Sequence, residues 1–292
     1  MSQPALDPHA ILQQIGLEGV ERLTPVTGGM DTAIWKVQCA DAAFALRLFR
    51  AEQKGTCEIE AAAMEAAAAA GLPVPTLHAT GEWEGRPYML IAWCKGDTVG
   101  NTLFRQPWRG WSLAVKAGRL QAKLHTVKAP PYIVERRSNW IRWGTDHPRL
   151  TEILRATATR TDVLLHMDYH PHNVLIDGDQ VTAVIDWTCA FAGDPRADVA
   201  RSVTLIRLGY IGRGLKAKLF DLVRFILAAG WLRGYQQVAG PLRDMAPFYL
   251  WAGALFKDDM SYKIGRPGID LTAEDLKPAD RWIARWRRRV GV

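Results

Sequence analysis

The pattern of hydrophobic and polar residues divides the chain into a strand-rich first part and a helix-rich remainder. Between residues 20 and 49, the segments "VERLTPVTGG", "TAIWKVQC" and "AAFALRLFR" predict three short strands, with turns at "TGGMD" and near Asp41. Asp7 and Pro8 predict the start of a short helix before them. The segment "TCEIEAAAMEAAAAAG" predicts a helix that ends at Gly71, and "RPYMLIAWC" predicts a buried strand.

The chain after "KGD" is expected to be mostly helical, apart from three short apolar runs in its middle, "DVLLH", "NVLID" and "VTAVID". Pro107 is suited to open a long helix. Further helices are predicted at residues 148–158, 197–208, 214–238, 241–256 and 273–289. The pattern therefore predicts an α+β protein with a β-rich lobe at 1–91, a hinge at 92–97 and a larger helical lobe at 98–292.

Length and composition agree with two lobes of a globular protein. The 292 residues exceed what one core usually holds, and 48% of them are hydrophobic while 23% are charged. The four cysteines (39, 57, 94 and 189) form no C-x-x-C pair, so neither a disulfide framework nor a zinc ribbon is expected. The chain starts without a signal-peptide pattern and has no run of eighteen apolar residues, so a cytoplasmic protein without a membrane partner is expected.

The formal net charge of +7 is concentrated partly at the C-terminus, where five arginines lie within "RWIARWRRRVGV". A nucleic-acid or membrane patch would explain such a cluster. The solvated face of a C-terminal helix explains it more simply, so no nucleic-acid partner is expected.

Residues 163–187, "VLLHMDYHPHNVLIDGDQVTAVIDW", contain a cluster of polar residues between apolar runs. One interpretation is a zinc site built from three histidines, at 166, 170 and 172, with Asp168. Tight histidine spacing is weak support for it, because metal-hydrolase sites usually draw ligands from separate loops and keep one coordination position open. A metal-dependent hydrolase nevertheless remains an alternative.

A second interpretation uses the spacing H-x-D-x-x-x-x-N, formed by His166, Asp168 and Asn173, followed thirteen residues later by Asp186. Phosphoryl transfer from ATP needs one carboxylate that accepts the proton of the attacking hydroxyl. It also needs hard oxygen ligands for Mg²⁺, which an Asn amide and a second carboxylate supply. The intervening "VLIDGDQVTAVI" predicts a hairpin that sets Asn173 and Asp186 side by side.

The segment "HMDYHPHNVLID…VTAVIDWTCAFAGDPRADVAR" closely resembles the aminoglycoside phosphotransferase and choline kinase superfamily. The resemblance extends from about residue 20 to at least residue 205. It implies a bilobal protein-kinase-like fold, with an antiparallel β-sheet and one main helix in the first lobe. It also implies that Asp168 is the catalytic base, that Asn173 and Asp186 bind Mg²⁺, and that ATP or GTP is the phosphate donor. By the same resemblance, His166 is structural and Asp198 braces the catalytic loop.

The resemblance also assigns roles to residues of the first lobe. Gly28 and Gly29 in "TGGMDTAIWKV" are expected to let backbone amides approach the nucleotide phosphates. Arg47 in "FALRLF" stands where protein kinases carry the lysine that binds the α- and β-phosphates, and Glu60 is its expected partner. Arg differs from Lys because its guanidinium is a planar fork rather than a point charge.

The segment "YMLIAWCKG" resembles the hinge of the family. The backbone groups of Ala92 and Cys94 are expected to contact the purine, and Gly96 to turn the chain into the second lobe. Two departures from the family pattern stand out: Met167 replaces the usual Gly of "HGD", and Ala92 stands where an acidic residue is frequent. Neither departure removes a catalytic group.

The acceptor is expected to be a small molecule with a hydroxyl group. The helices after residue 200 carry more Lys and Arg than acids, which favours a neutral or anionic alcohol or sugar over a polycationic aminoglycoside. A monomer or homodimer is expected. Two further alternatives remain open at this point, a nucleotide-binding pseudokinase or regulatory module, and a protein kinase.

Overall fold

The chain forms a strand-rich N-terminal part and a mostly helical C-terminal part. A computed structural model describes residues 6–26, 32–209, 215–266 and 269–292, with the backbone alone for 215–220. The N-terminal elements are α1 (Pro8–Ile15), β1 (Val20–Pro25), β2 (Ala33–Cys39), β3 (Ala43–Leu48), α2 (Lys54–Ala69), β4 (Leu77–Trp83) and β5 (Arg86–Ala92).

The five N-terminal strands form one antiparallel sheet in the order β1-β2-β3-β5-β4. Side chains alternate between the faces of a strand, so β3 serves two purposes. Leu46 and Leu48 are buried with Ile11 and Leu12 of α1. Arg47 lies between them in the strand, so its side chain is on the opposite face of the sheet, where it contacts Glu60 of α2. The alternation of side chains along β3 therefore places Arg47, the only cationic residue of this strand, on the face opposite α1.

The C-terminal part begins with a two-residue strand and a short helix, and that helix was not predicted from the sequence. Its elements are β6 (Asp97–Thr98), α3 (Val99–Arg105), α4 (Gly110–Leu124), α5 (Pro131–Arg136), α6 (Trp140–Gly144), α7 (Pro148–Thr157), β7 (Val163–Leu165), β8 (Val174–Asp177), β9 (Gln180–Val184), β10 (Phe191–Gly193), α8 (Pro195–Leu208), α9 (Leu215–Ala239), α10 (Ala246–Ser261) and α11 (Lys277–Val290).

Helices α4 and α9 pack closely because glycines lie at their contact. A Cβ atom on Gly118 would lie 2.0 Å from the backbone oxygen of Trp231, and one on Gly234 would lie 2.1 Å from that of Val115. Tyr169 lies above this pair of helices and donates its hydroxyl to the backbone oxygen of Ala117 (3.0 Å). Through Tyr169, the polar loop that follows β7 packs against both helices.

The α+β kinase-like fold class predicted from the sequence is confirmed. The predicted helix at 241–256 begins later, at Ala246, because α9 ends at Ala239 and Gly240 takes a left-handed φ of 81°. Strand β4, at the edge of the sheet, was missed. Within the described ranges, no helix combines the length and the hydropathy needed to cross a bilayer.

Candidate active site

The loop between β7 and β8 is held by a buried carboxylate. Asp198 of α8 accepts the backbone N–H groups of His166 (3.1 Å) and Met167 (2.8 Å), and His125 Nε2 lies 2.9 Å from it. Burial raises the pKa of the Asp198 carboxyl, but interactions with two histidines outweigh burial and lower this pKa. These interactions are the hydrogen bond and charge of His125, then the charge of His166 and the hydrogen bond from the His166 N–H. The ionised Asp198 thus fixes the loop backbone, as the sequence resemblance implied.

Met167 has a left-handed backbone, with φ of 63°, and its side chain is fully buried. This conformation is costly for a residue with a Cβ atom and free for glycine. This backbone conformation explains why glycine is usual at the position. In this chain, the two hydrogen bonds to Asp198 and the burial of the Met167 side chain stabilise the left-handed conformation despite its cost.

Asp168 lies in this loop, and two residues, Asn173 and His170, contact its carboxylate or its backbone oxygen. Asn173 Nδ2 donates to Asp168 Oδ2 (3.0 Å) and to the Asp168 carbonyl (2.9 Å). His170 Nε2 lies 3.4 Å from Oδ2. Burial alone raises the pKa of Asp168, but the hydrogen bond and charge of His170, with the charges of Arg201 and His166, hold it below its ordinary value. The carboxylate is therefore ionised at neutral pH and able to accept a hydroxyl proton.

The β8–β9 hairpin places Asn173 beside Asp186. Val174 pairs with Val184, and the Ile185 N–H donates to the Asn173 carbonyl (3.0 Å). The Asn173 amide nitrogen is directed at Asp168, so its amide oxygen is the atom left for a cation. Asp186 accepts a hydrogen bond from Thr188 Oγ1 (2.8 Å), and 44% of its side chain is exposed. The predicted hairpin is therefore present, and it carries an amide oxygen and a carboxylate at its two ends.

Arg47 of β3 forms a buried ion pair with Glu60 of α2. The same Oε1 of Glu60 accepts the backbone N–H of Trp187 (3.2 Å), and Arg47 Nη2 lies 3.9 Å from Asp186 Oδ1. Burial raises the pKa of the Glu60 carboxyl, and Arg47 opposes that rise. Glu60 contributes no surface to the cavity described below, so it positions Arg47 and the segment after Asp186.

Hydrogen bonds within the chain occupy part of the backbone of the segment that was predicted as the hinge. The Ala92 N–H donates to the Thr76 carbonyl (2.8 Å), so this N–H is not available to a purine. Cys94 is partly buried two residues later, and its Sγ lies 3.9 Å from the Ala92 carbonyl. Gly28 and Gly29, assigned to the phosphate-binding turn, lie outside the described residues.

One large cavity, with a volume of about 1670 Å³, brings several of these groups together. Arg47, Asp168 and Asp186 line it, while Asn173, Glu60, Ala92 and Cys94 do not. Sequence reasoning missed other residues that line it: Phe49, Gln53, Arg137, Arg201 and Lys263. These come from both parts of the chain and share no local spacing, so no signal in the sequence singles them out.

The histidines do not assemble a metal site. Across the described ranges, no group of three or more His, Cys, Asp or Glu side chains is arranged to hold a metal ion. His166 is buried with its ring 4.6 Å from that of Trp187, while His170 and His172 line the cavity. The zinc-cluster interpretation of the sequence is therefore wrong for these residues.

The chain has the protein-kinase-like fold. Its N-terminal part is a five-stranded antiparallel sheet with a helix, and its C-terminal part is mostly helical. The chain matches the model of the phosphotransferase enzyme family over residues 22–251. The chain therefore belongs to the phosphotransferase enzyme family. Among curated protein sequences, none matches it.

Several solved structures are similar to the chain. Amicoumacin kinase hAmiN, in complex with AMP-PNP, Ca²⁺ and Ami, is 13% identical with a TM-score of 0.64, covering 98% of this chain and 93% of that one. A thermostable mutant of aminoglycoside phosphotransferase APH(4)-Ia, in complex with ADP and hygromycin B, is 17% identical with a TM-score of 0.64, covering 94% and 97%. Aminoglycoside-3′-phosphotransferase of type VIII is 18% identical with a TM-score of 0.59, covering 85% and 97%. At these identities, the likeness shows the shared fold.

Proposed function

We propose that this phosphotransferase-family chain is an ATP- and Mg²⁺-dependent small-molecule kinase that transfers the γ-phosphate to a hydroxyl group of a neutral or anionic alcohol or sugar. One observation carries the proposal: Asp168, Asp186 and Arg47 line the same cavity, and Asn173 is hydrogen-bonded to Asp168. A carboxylate, an amide oxygen with a second carboxylate, and a cation are the set that phosphoryl transfer requires.

In this proposal Asp168 holds the acceptor hydroxyl and takes its proton as the new O–P bond forms. The bond between the γ-phosphorus and the β–γ bridging oxygen breaks, and ADP leaves with that bonding pair. The ionised state of Asp168 suits this role, because only the carboxylate form can accept a proton. His170 and Asn173 orient the carboxylate by contacting Oδ2.

The donor set beside Asp168 fits magnesium. The Asn173 amide oxygen and the Asp186 carboxylate are hard oxygen ligands, which Mg²⁺ prefers over nitrogen or sulfur, and it usually takes one or two carboxylates with phosphates and water. When bound there, Mg²⁺ supplies charge neutralisation for the phosphates. Thr188 orients Asp186 through its hydroxyl.

The nucleotide is assigned to the N-terminal side of the cavity, with residues 92–97 as the hinge between the lobes 1–91 and 98–292. Arg47 would bind the phosphates, the Ala92 carbonyl and the Cys94 backbone the purine, and the Gly28–Gly29 turn the phosphate oxygens. Two proteins of the same fold support this assignment, since one contains AMP-PNP with Ca²⁺ and another contains ADP with hygromycin B. ATP or GTP is the expected donor.

Ligand-dependent melting tests the nucleotide site, and an ATP-consumption screen tests the reaction. At a nucleotide concentration 100 times Kd, Mg·ATP stabilises the folded state by about 2.7 kcal/mol, which raises Tm. The screen covers sugars, amino alcohols, hydroxy acids, antibiotics and cell extract. A shift without acceptor-stimulated ATP loss would support the pseudokinase alternative, and no shift at millimolar nucleotide would overturn both readings.

A further inference from the structure

Two guanidinium groups are held on the C-terminal wall of the cavity by aromatic side chains. Arg137 Cζ lies 5.2 Å from the ring centroid of Phe191, and Phe191 stacks on Trp143 with centroids 5.1 Å apart and an interplanar angle of 18°. Arg201 Cζ lies 5.6 Å from the Trp143 ring. We call these four residues the arginine stack. Because Arg137, Trp143 and Arg201 line the cavity with Asp168, the stack presents fixed cations there.

The donors of the arginine stack are incompletely paired. Arg137 has no ion pair or side-chain hydrogen bond with any described residue, although it is half-buried. Arg201 Nη2 pairs with Asp259 of α10, while its buried Nε and Nη1 have no acceptor within the described ranges. Only 6% of the Arg201 side chain is exposed, so water does not readily replace the missing acceptors. An anion in the cavity would supply an acceptor to these two guanidinium groups.

The charges of the side chains that line the cavity also favour an anionic ligand. Among its described residues, the cavity is lined by seven Arg and Lys side chains but only four Asp side chains. Asp168 and Asp186 are assigned to catalysis and magnesium, and Asp259 is already paired with Arg201. Asp258 is the acid that remains for a ligand. A polycation would need several acids to replace its lost hydration, so this wall suits an anion instead.

We propose that the arginine stack binds an anionic group of the acceptor alcohol, a carboxylate or a phosphate, while the acceptor hydroxyl lies at Asp168. The planar fork of arginine matches both oxyanions in a bidentate manner. This inference rests on the proposed function and narrows it: the substrate is a hydroxy acid or a phosphorylated alcohol, and the stack determines specificity.

Matched acceptor pairs test the subsite by turnover. The pairs are glycerate with glycerol, gluconate with glucose, and glucose 6-phosphate with glucose, and kanamycin serves as the polycation. Anionic acceptors are expected to be preferred, and an extract component that stimulates ATP loss should be retained by an anion exchanger. Arg137→Gln should lower kcat/KM for the anionic acceptor by roughly 10- to 100-fold, as expected for the loss of a charge-assisted hydrogen bond, while kcat changes less.

Arg136→Gln is the matched control, because Arg136 lies next in the chain, is largely exposed and pairs with Glu135 outside the cavity. It should leave kcat/KM unchanged, and Arg137→Lys should recover part of the loss by restoring the charge. Preference for glycerol, glucose or kanamycin, or equal losses in the Arg136 and Arg137 variants, would overturn the subsite. So would an active extract component that flows through the anion exchanger.

A binding experiment separates failure of the subsite from failure of the kinase proposal. The protein saturated with Mg·AMP-PNP is titrated with each acceptor, and its Tm is recorded. The anionic members should raise Tm in the wild type and in Arg136→Gln, but much less in Arg137→Gln. If AMP-PNP binds and no anion adds a shift, the arginine stack is not an anion subsite. If AMP-PNP itself does not bind, the proposed function fails first.

Discussion

Arg47 and Glu60 form a buried ion pair, and the Glu60 oxygen that binds Arg47 also accepts the N–H of Trp187. Trp187 directly follows Asp186, whose carboxylate lies 3.9 Å from Arg47. One carboxylate oxygen on α2 therefore positions both Arg47, the proposed phosphate-binding cation, and the segment that carries a candidate magnesium ligand. The pair couples the strand-rich part of the chain to the hairpin of the C-terminal part.

Glu60→Gln should destabilise the protein and weaken nucleotide binding together. The substitution removes the buried countercharge of Arg47 and leaves only the half-exposed Asp186 near its guanidinium. Loss of one partner from a buried pair costs about 3–5 kcal/mol. Urea denaturation measures the free energy of unfolding, and the Tm shift with Mg·ATP measures binding. Glu65→Gln is the control, because Glu65 lies on the same helix but is exposed. Equal stability of the two variants would contradict the bracing role of Glu60.

Asp198 should make stability fall at acid pH. Burial raises the pKa of its carboxyl, but the bond and charge of His125 and the contributions of His166 lower it below the unfolded-state value, which is about 3.9. The unfolded chain therefore binds the proton first as pH decreases. The stabilisation is complete well above pH 4 and is lost progressively as pH falls through the lowered pKa.

Asp198→Asn should remove this contribution at neutral pH and flatten the decrease in unfolding free energy between pH 6 and pH 3. Chemical denaturation at a series of pH values measures both effects. Asp177→Asn provides the comparison, since Asp177 is exposed at the end of β8. An unchanged acid slope in the Asp198 variant would show that the loop is held by other groups.

His170→Ala should raise the pKa of Asp168. Burial already raises that pKa, and the hydrogen bond and charge of His170 are the leading contributions that lower it. Carboxyl-carbon NMR of aspartate-labelled protein reports the titration, with the Asp168 signal assigned by its absence in Asp168→Asn. His172→Ala tests specificity, because the His172 ring lies 6.0 Å from that of His170 and has no contact with Asp168. An unchanged Asp168 pKa in the His170 variant would show that His170 does not keep this carboxyl ionised.

The hairpin around Asn173 and Asp186 was predictable because its apolar runs, turn residues and polar ends are all local in sequence. The same holds for helix α2 and strands β1, β2, β3 and β5 of the N-terminal sheet, whereas the edge strand β4 was missed. Glu60 was predicted as the partner of Arg47 from spacing within the family pattern, and the structure places the two in contact.

Long-range arrangement could not be predicted in the same way. Arg137, Trp143, Phe191 and Arg201 meet only after α5, α6, β10 and α8 have packed, and nothing in their spacing marks that contact. The role of Met167 was also hidden, because a left-handed φ is invisible in the sequence when glycine is absent. Residue types predicted the candidate base and the candidate metal ligands, whereas tertiary packing decides which side chains lie opposite them in the cavity.

The Asp168→Asn variant tests the central claim most directly. Asn has nearly the same shape and leaves Arg47 and the two oxygen ligands in place, but it cannot accept the hydroxyl proton. The Tm shift with Mg·ATP is measured beside acceptor-stimulated ATP consumption. The account predicts a shift like that of the wild type and turnover reduced by at least about 100-fold, the lower range for loss of a general base. Turnover near the wild-type rate with an intact Tm shift would contradict Asp168 as the base of a phosphoryl transfer.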